Sequence, residues 1–241
     1  MPTRPFALRR IYSRTVRRIS EPDLMLDPDQ VEAYGRAEFE QPHQRFIQLL
    51  QERFPWLPTT GTALDLGCGP GDIACRFARA FPAWHVHGLD GSLPMLEHGR
   101  RALESSTLDA RVSLHACYLP DGDAPLESYD LVYSNSLLHH LADPGVLWRS
   151  LGRWSRRGGP VFVMDLLRPG TPDDVRRLVD EHSRGEPEVL RRDFANSLFA
   201  AYRADEIREQ LERESLAHLA LEIVSDRHFV VWGRAENQGR M

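Results

Sequence analysis

From about residue 60 the apolar positions fall into blocks of two kinds, short strand-like runs and longer stretches with helical spacing. TALDL (62–66) predicts a first strand, DIACRFARAF (72–81) a first helix, WHVHGLD (84–90) a second strand and SLPMLEHGRRALESS (92–106) a second helix that Ser92 can cap. RVSLHA (111–116), YDLVYSN (129–135) and PVFVMDL (160–166) add three strands, the last two separated by a helix over PGVLWRSLGRW (144–154). Strand and helix alternating at this pace predict an α/β fold with a doubly wound, mostly parallel sheet covered on both faces.

The chain closes on LEIVSDRHFVVWG (221–233), two apolar runs around a turn at Ser225 and Asp226, which predict a terminal antiparallel hairpin completing a seven-stranded sheet. Between the fifth strand and that hairpin lie three helical stretches, PDDVRRLVDEH, PEVLRRDFANSLFAAY and ADEIREQLERES. One of them must be the crossover; the first two read as a helical insertion after the fifth strand, at about 167–203, over the carboxyl edge of the sheet. Residues 20–57 form a preface, helical in pattern and broken at Pro42, that can lie across the same edge. The expected organisation is an N-terminal basic arm and helical lid over 1–58, followed by one α/β domain over 59–241.

Composition narrows the class. Hydrophobic residues at 41% and charged residues at 27% are ordinary for a globular chain. No apolar run approaches the roughly 18–20 residues of a membrane span, so none is expected. The formal net charge of −5 supplies no overall basic field, and nucleic-acid binding is not expected from it. The first 20 residues are the exception, holding Arg4, Arg9, Arg10, Arg14, Arg17 and Arg18 and no acid. That arm resembles a transit peptide or a phosphate-binding segment, or it docks on the protein. All 30 basic residues are arginine, which excludes a Schiff-base lysine, a lysine general base and a Walker-A lysine. Cys68, Cys75 and Cys117 make no CxxC pair; with no secretory segment in view, a reducing, cytoplasmic setting is expected.

The densest signal is ALDLGCGPGD (63–72), where Gly67, Gly69 and Gly71 follow the first strand directly. Glycine lets the backbone approach a ligand closely, and the helix that follows offers free N–H groups to something small and polar. The spacing is not the G-x-G-x-x-G of dinucleotide sites. Asp90, at the end of the second strand, stands where an acid accepts ribose hydroxyls, so turn and acid together imply a nucleoside.

With these residues in view the chain resembles the class I S-adenosylmethionine-dependent methyltransferases, a Rossmann-like family. LDLGCGPGD and GLDGSLPML are similar to its first two motifs, and LPDGDAPLESYDLVYSNSLLHHLADP to the segment entering the fourth strand of ubiquinone-type and trans-aconitate-type small-molecule enzymes. The resemblance implies S-adenosylmethionine as cofactor. It implies that Asp65, Gly67, Gly69 and Gly71, with Cys68 in the same turn, cradle its methionine part. By the same likeness Asp90 holds the ribose, and Gly91, Ser92 and Met95 lie beside the adenosine. The family's frequent adenine-capping aspartate falls on His115 here, leaving adenine to Ala116 and Cys117.

A sulfonium methyl is already activated, so transfer needs alignment and exclusion of water, and a base only for a protonated acceptor. The catalytic candidates are His139, His140 and Asn135, the last able to orient either the acceptor or the cofactor's amino group. Of the adjacent histidines, one is expected to face away from the pocket. Tyr34 and Arg36 are the expected lid residues over the cofactor, the arginine able to meet its carboxylate. Arg168 is a candidate partner for an acidic group on the acceptor or else a surface arginine. Asn196 and Tyr202, with Phe194 and Ser197, are candidates to line the acceptor pocket. His85 and His87 share one side of a strand without a third ligand, so no metal is expected.

The leading expectation is a small-molecule methyltransferase. An RNA or protein methyltransferase is the alternative, motivated by the arginine arm and by Arg153, Arg156 and Arg157, though the fourth strand does not lead into a (D/N)PP(Y/F/W) signature. A non-catalytic cofactor-binding partner protein and a dinucleotide-dependent dehydrogenase complete the set. An exposed terminal strand leaves a homodimer open.

Overall fold

Period-two alternation in the strands sends successive side chains to opposite faces, and in this chain both faces are apolar. In the computed structural model, which describes residues 16–22, 24–27, 30–32, 34 and 40–236, seven strands form one sheet in the order β3-β2-β1-β4-β5-β7-β6. These are β1 (Gly61–Leu66), β2 (Trp84–Asp90), β3 (Val112–Ala116), β4 (Leu131–Asn135), β5 (Pro160–Leu166), β6 (Ala220–Ile223) and β7 (His228–Arg234). The first five are parallel; β7 pairs antiparallel with both β5 and β6. β7, the last strand, is thus enclosed, and the sheet edge falls on the four-residue β6.

Ala63, Val86, Leu131, Tyr133, Phe162, Met164 and Val230 point to one face, where α1 (Glu40–Arg53), α2 (Asp72–Ala80) and α3 (Leu93–Glu104) cover them. Leu64, Leu66, Val132, Val161, Val163, Phe229 and Val231 point to the other, under α4 (Gly145–Trp154) and α7 (Ala204–Arg213). Burial on both sides is why β5 reads PVFVMDL, with every residue buried. α5 (Pro172–His182) and α6 (Glu188–Ala200) enclose a smaller core of Leu166, Val175, Leu178, Leu198 and Ala201 that also takes Val16. α5 starts where its sequence says it should, Thr171 and Asp174 closing a reciprocal capping box ahead of Pro172.

The preface divides in two. Pro42 does not break a helix; it sits in the first turn of α1, where no intrahelical N–H is required. α1 then packs into the main core, Phe46 lying 5.6 Å from the Tyr133 ring and 5.0 Å from Phe162. The stretch before it does the covering. Val16 and Ile19 donate to the Gly170 and Phe199 carbonyls, and Arg18 binds the Ala200, His139 and Leu141 carbonyls with its guanidinium 4.2 Å above the Tyr202 ring. Farther on, the Ser92 hydroxyl donates to the Met25 carbonyl at 2.6 Å and Gln30 donates to Asp193 on α6. Of the arginine arm, Arg4, Arg9, Arg10 and Arg14 lie outside the described residues, as does Arg36.

Candidate functional site

The strand order reverses between β1 and β4, so their carboxyl ends splay apart and leave a crevice. A cavity of about 1520 Å³ opens there. Small-ligand sites occupy about 300–1,000 Å³, so it has room for more than one molecule.

One half of the cavity is backbone and carboxylate. Gly67, Gly69 and Gly71 have φ of +72°, +52° and +83°, the left-handed region that side chains avoid. A Cβ on Gly67 would stand 2.8 Å from the Leu137 side chain, whereas one on Gly69 would meet nothing within 4 Å. Gly69 therefore faces open space. Asp90 ties this turn to the next, its Oδ2 accepting from the Gly69 amide at 2.8 Å and its Oδ1 from the Ser92 amide at 2.7 Å. Each oxygen keeps a further lone pair for a hydroxyl. Asp65 is 1% exposed and its Oδ2 has no hydrogen-bond partner. Burial, with Asp90 and Asp72 nearby, pushes its carboxyl well above the usual range. An orphaned acidic oxygen beside a glycine cradle suits a ligand that brings an ammonium group. Leu24 and Tyr118 flank Gly91, and Met95 and Cys117 line the same part of the cavity.

The other half is built on β4 and β5. Asn135 lines the cavity and donates to the Ser136 hydroxyl at 3.2 Å; Ser136 itself takes φ +56°, a strained backbone at the switch point. After it, a short 3₁₀ turn (Leu138–His140) is pinned by Asp165, whose Oδ2 accepts from the Leu138 amide and whose Oδ1 lies 2.5 Å from His139 Nδ1. The two histidine rings lie 4.2 Å apart, tilted by 35°, and both line the cavity, so neither turns away as adjacency alone predicts. Glu21 comes across from the covering stretch, its Oε1 3.4 Å from His139 Nε2 and 3.4 Å from His140 Nδ1, held by the Ser197 hydroxyl at 3.0 Å.

Burial pulls in different directions here. It would lower His139, but the Asp165 carboxylate and then Glu21 outweigh it and hold the imidazolium above its ordinary value. Asp165, which burial would raise, is held below its ordinary range by His139. His140, buried beside a charged His139, is pushed down to about 3. Burial raises Glu21 and the His139 charge only partly offsets it.

Of the other residues singled out in the sequence, Tyr34, Asn196, Ser197 and Phe194 line the cavity, and burial pushes the Tyr34 hydroxyl up to about 12. Arg168 does not. It is 6% exposed, donates to the Ala201 carbonyl and pairs with Glu206 on α7, which braces α6 against α7. Tyr202 lies beneath Arg18 with its hydroxyl toward the Leu141 carbonyl, outside the lining. Ala116 is exposed, and His115 packs on Ser113 and the His87 ring, away from the cavity. His87 bonds Tyr129 and His85 points to solvent, so the HVH pair serves the sheet. Glu21, Leu24, Met25 and Tyr118 are site residues that no motif marks; only the fold brings them there.

Residues 63–159 match the family described as methyltransferase domain. The methyltransferase GfsG of Streptomyces halstedii is 31% identical over 158 residues, 64% of this chain and 53% of that protein. The demethylmenaquinone methyltransferase of Roseiflexus castenholzii is 31% identical over 48% of this chain and 47% of its own length. The chain thus spans about half the length of these curated relatives. Among solved structures, the plantazolicin methyltransferase BpumL in complex with a pentazolic desmethylPZN analogue and S-adenosylhomocysteine superposes with a TM-score of 0.67 at 14% identity, covering 88% of this chain and 92% of that one. An Aquifex aeolicus SAM-dependent methyltransferase gives 0.62 at 15% identity, over 88% of this chain and all of that one.

Proposed function

We infer that this chain, a class I S-adenosylmethionine-dependent methyltransferase by its domain and fold, transfers a methyl group from S-adenosylmethionine to a small-molecule acceptor. The observation that carries the reading is the cavity at the β1–β4 switch point, whose lining joins a glycine-and-carboxylate half to a histidine-and-glutamate half. When bound, the cofactor supplies a methyl on a positively charged sulfur, open to in-line displacement.

The glycine turn and the buried Asp65 oxygen receive the amino-acid end of that molecule, and Asp90 receives its ribose hydroxyls. Leu24, Met25 and Tyr118 close over the nucleoside and exclude water, taking the place that His115 leaves vacant by packing elsewhere. Tyr34 belongs to the same cover. On the opposite wall Asn135, His140, Glu21 and Asn196 position the acceptor.

The histidines orient more than they deprotonate. His139 has a carboxylate beside each ring nitrogen, and His140, pushed down to about 3, is too weak a base to strip a hydroxyl. This suits acceptors that arrive with a lone pair ready. The cover made by Glu21, Leu24, Met25, Gln30 and α6 narrows the cavity mouth, which favours a small acceptor over RNA or a folded protein.

The test is transfer of a radiolabelled methyl from S-adenosylmethionine into fractionated cell extract. Label is expected in the low-molecular-weight fraction and lost with Asn135→Ala. Label confined to RNA or protein would refute the small-molecule reading.

A further inference from the structure

Two imidazoles in the histidine wall each turn one ring nitrogen toward the same point, where a metal would take the place of a ring proton. His139 donates its Nδ1–H to Asp165, itself anchored by the Leu138 and Leu166 amides, which leaves Nε2 facing Glu21. His140 is hydrogen-bonded to the backbone of Pro22, while its Nδ1, buried, has no hydrogen-bond partner. Both ring nitrogens lie 3.4 Å from Glu21 Oε1, and the three atoms lie within 4.8 Å of one another. At 3.4 Å a contact is long for a hydrogen bond, which runs about 2.7–3.2 Å. It matches the edge of a tetrahedron whose metal bonds are about 2.0–2.1 Å.

We propose that Glu21, His139 and His140 form a divalent-metal site of the zinc type, with Asp165 and the Pro22 backbone orienting its two imidazoles. Two histidines and a glutamate are a donor set of catalytic zinc, and three protein ligands leave a fourth position open to the cavity. A carboxylate behind a metal-bound histidine fixes the ring and strengthens the ligand. The charge also fits: Asp165 and Glu21 bring two carboxylates to the wall, and a dication would balance them in place of the His139 proton. Arg18, the nearby cation, is engaged with backbone carbonyls and the Tyr202 ring. The open position would give a hydroxyl, thiol or carboxylate acceptor a ligand contact. The second His–acid cluster among the described residues, Glu181, His182 and Asp226, is exposed and has Arg227 Nη1 2.8 Å from His182 Nε2, so a guanidinium occupies the nitrogen a metal would need.

Cobalt(II) titration of the full, metal-stripped chain, without S-adenosylmethionine, reads the site independently of any methyl transfer. The expected result is one equivalent bound with the intense visible bands of tetrahedral cobalt, displaced by zinc. His140→Ala should abolish it and His182→Ala preserve it, while Asp165→Asn weakens it about 10–100-fold. Glu21→Gln, which changes one atom at the cavity surface, gives the same readout if His140→Ala does not fold. No stoichiometric cobalt in the wild type, uptake untouched by His140→Ala and Glu21→Gln, or uptake lost in His182→Ala would overturn the proposal.

Discussion

Gly67 and Gly69 share a left-handed backbone but face different neighbours, and this separates what each substitution does. Alanine at either position costs about 1–2 kcal/mol of backbone strain. At Gly67 the new Cβ also drives into Leu137 at 2.8 Å, whereas at Gly69 it projects into the open cavity. Gly67→Ala should therefore lose clearly more stability in urea denaturation, and Gly69→Ala should lose cofactor affinity with a smaller stability change. His228 gives the pH counterpart. Burial, with Arg227 beside it, pushes its imidazole down to about 4, so it stays neutral in the native state where the unfolded chain would protonate it. A lowered folded-state value stabilises fully above the unfolded value of about 6.5 and is lost as pH falls toward 4. Unfolding free energies at pH ~7 and ~5 should therefore differ less in His228→Gln than in the wild type. Residues of this kind were only half legible in sequence: the glycines and Asp90 stand out by spacing, but the burial that displaces His228 and His140 comes from partners remote along the chain.

At the scale of elements, the strands and helices from β1 to β5 follow the hydrophobic pattern closely, because a strand buried on both faces has few other readings. Ser92 caps α3 as its position suggests, accepting from the Met95 amide. The preface was less transparent, since an amphipathic helix looks alike whether its apolar stripe meets a core or a ligand. α1 is core: Phe46→Ala should cost about 3–5 kcal/mol in denaturant unfolding. The stretch from Val16 to Gln30 is cover, latched by Arg18, and truncating that latch should act on binding. Hydrogen bonds to a charged group contribute about 1.5–3 kcal/mol, so Arg18→Ala should weaken cofactor binding by about tenfold or more while the unfolding midpoint barely moves. Equal loss of stability in both variants would contradict this division. Arg168 teaches the converse lesson: an arginine near the ligand edge by sequence turned inward to Glu206 because α7 supplies a carboxylate there.

On the scale of the whole molecule, function follows from where the sheet reverses. The strand order turns between β1 and β4 and opens one crevice, on which residues from several elements converge. The glycine turn reaches it from β1, Asp90 from β2, Asn135 from β4, Asp165 from β5 and Glu21 from a segment lying well over a hundred residues from the histidines it faces. That last convergence is invisible to any local motif: the glycine turn, Asp90, Asn135 and the two histidines stand out in the sequence, whereas Glu21 joins them only through the fold. No helix among the described residues is long and apolar enough to cross a membrane.

On this reading the crevice binds S-adenosylmethionine through the glycine turn and Asp90. Calorimetric titration of the folded protein with S-adenosylmethionine, S-adenosylhomocysteine and NAD, repeated on Asp90→Ala, tests it directly. Saturable binding of both sulfur nucleosides, lost in Asp90→Ala and absent with NAD, is the expected result. Failure of the folded wild type to bind either sulfur nucleoside, or equal binding by Asp90→Ala, would contradict it.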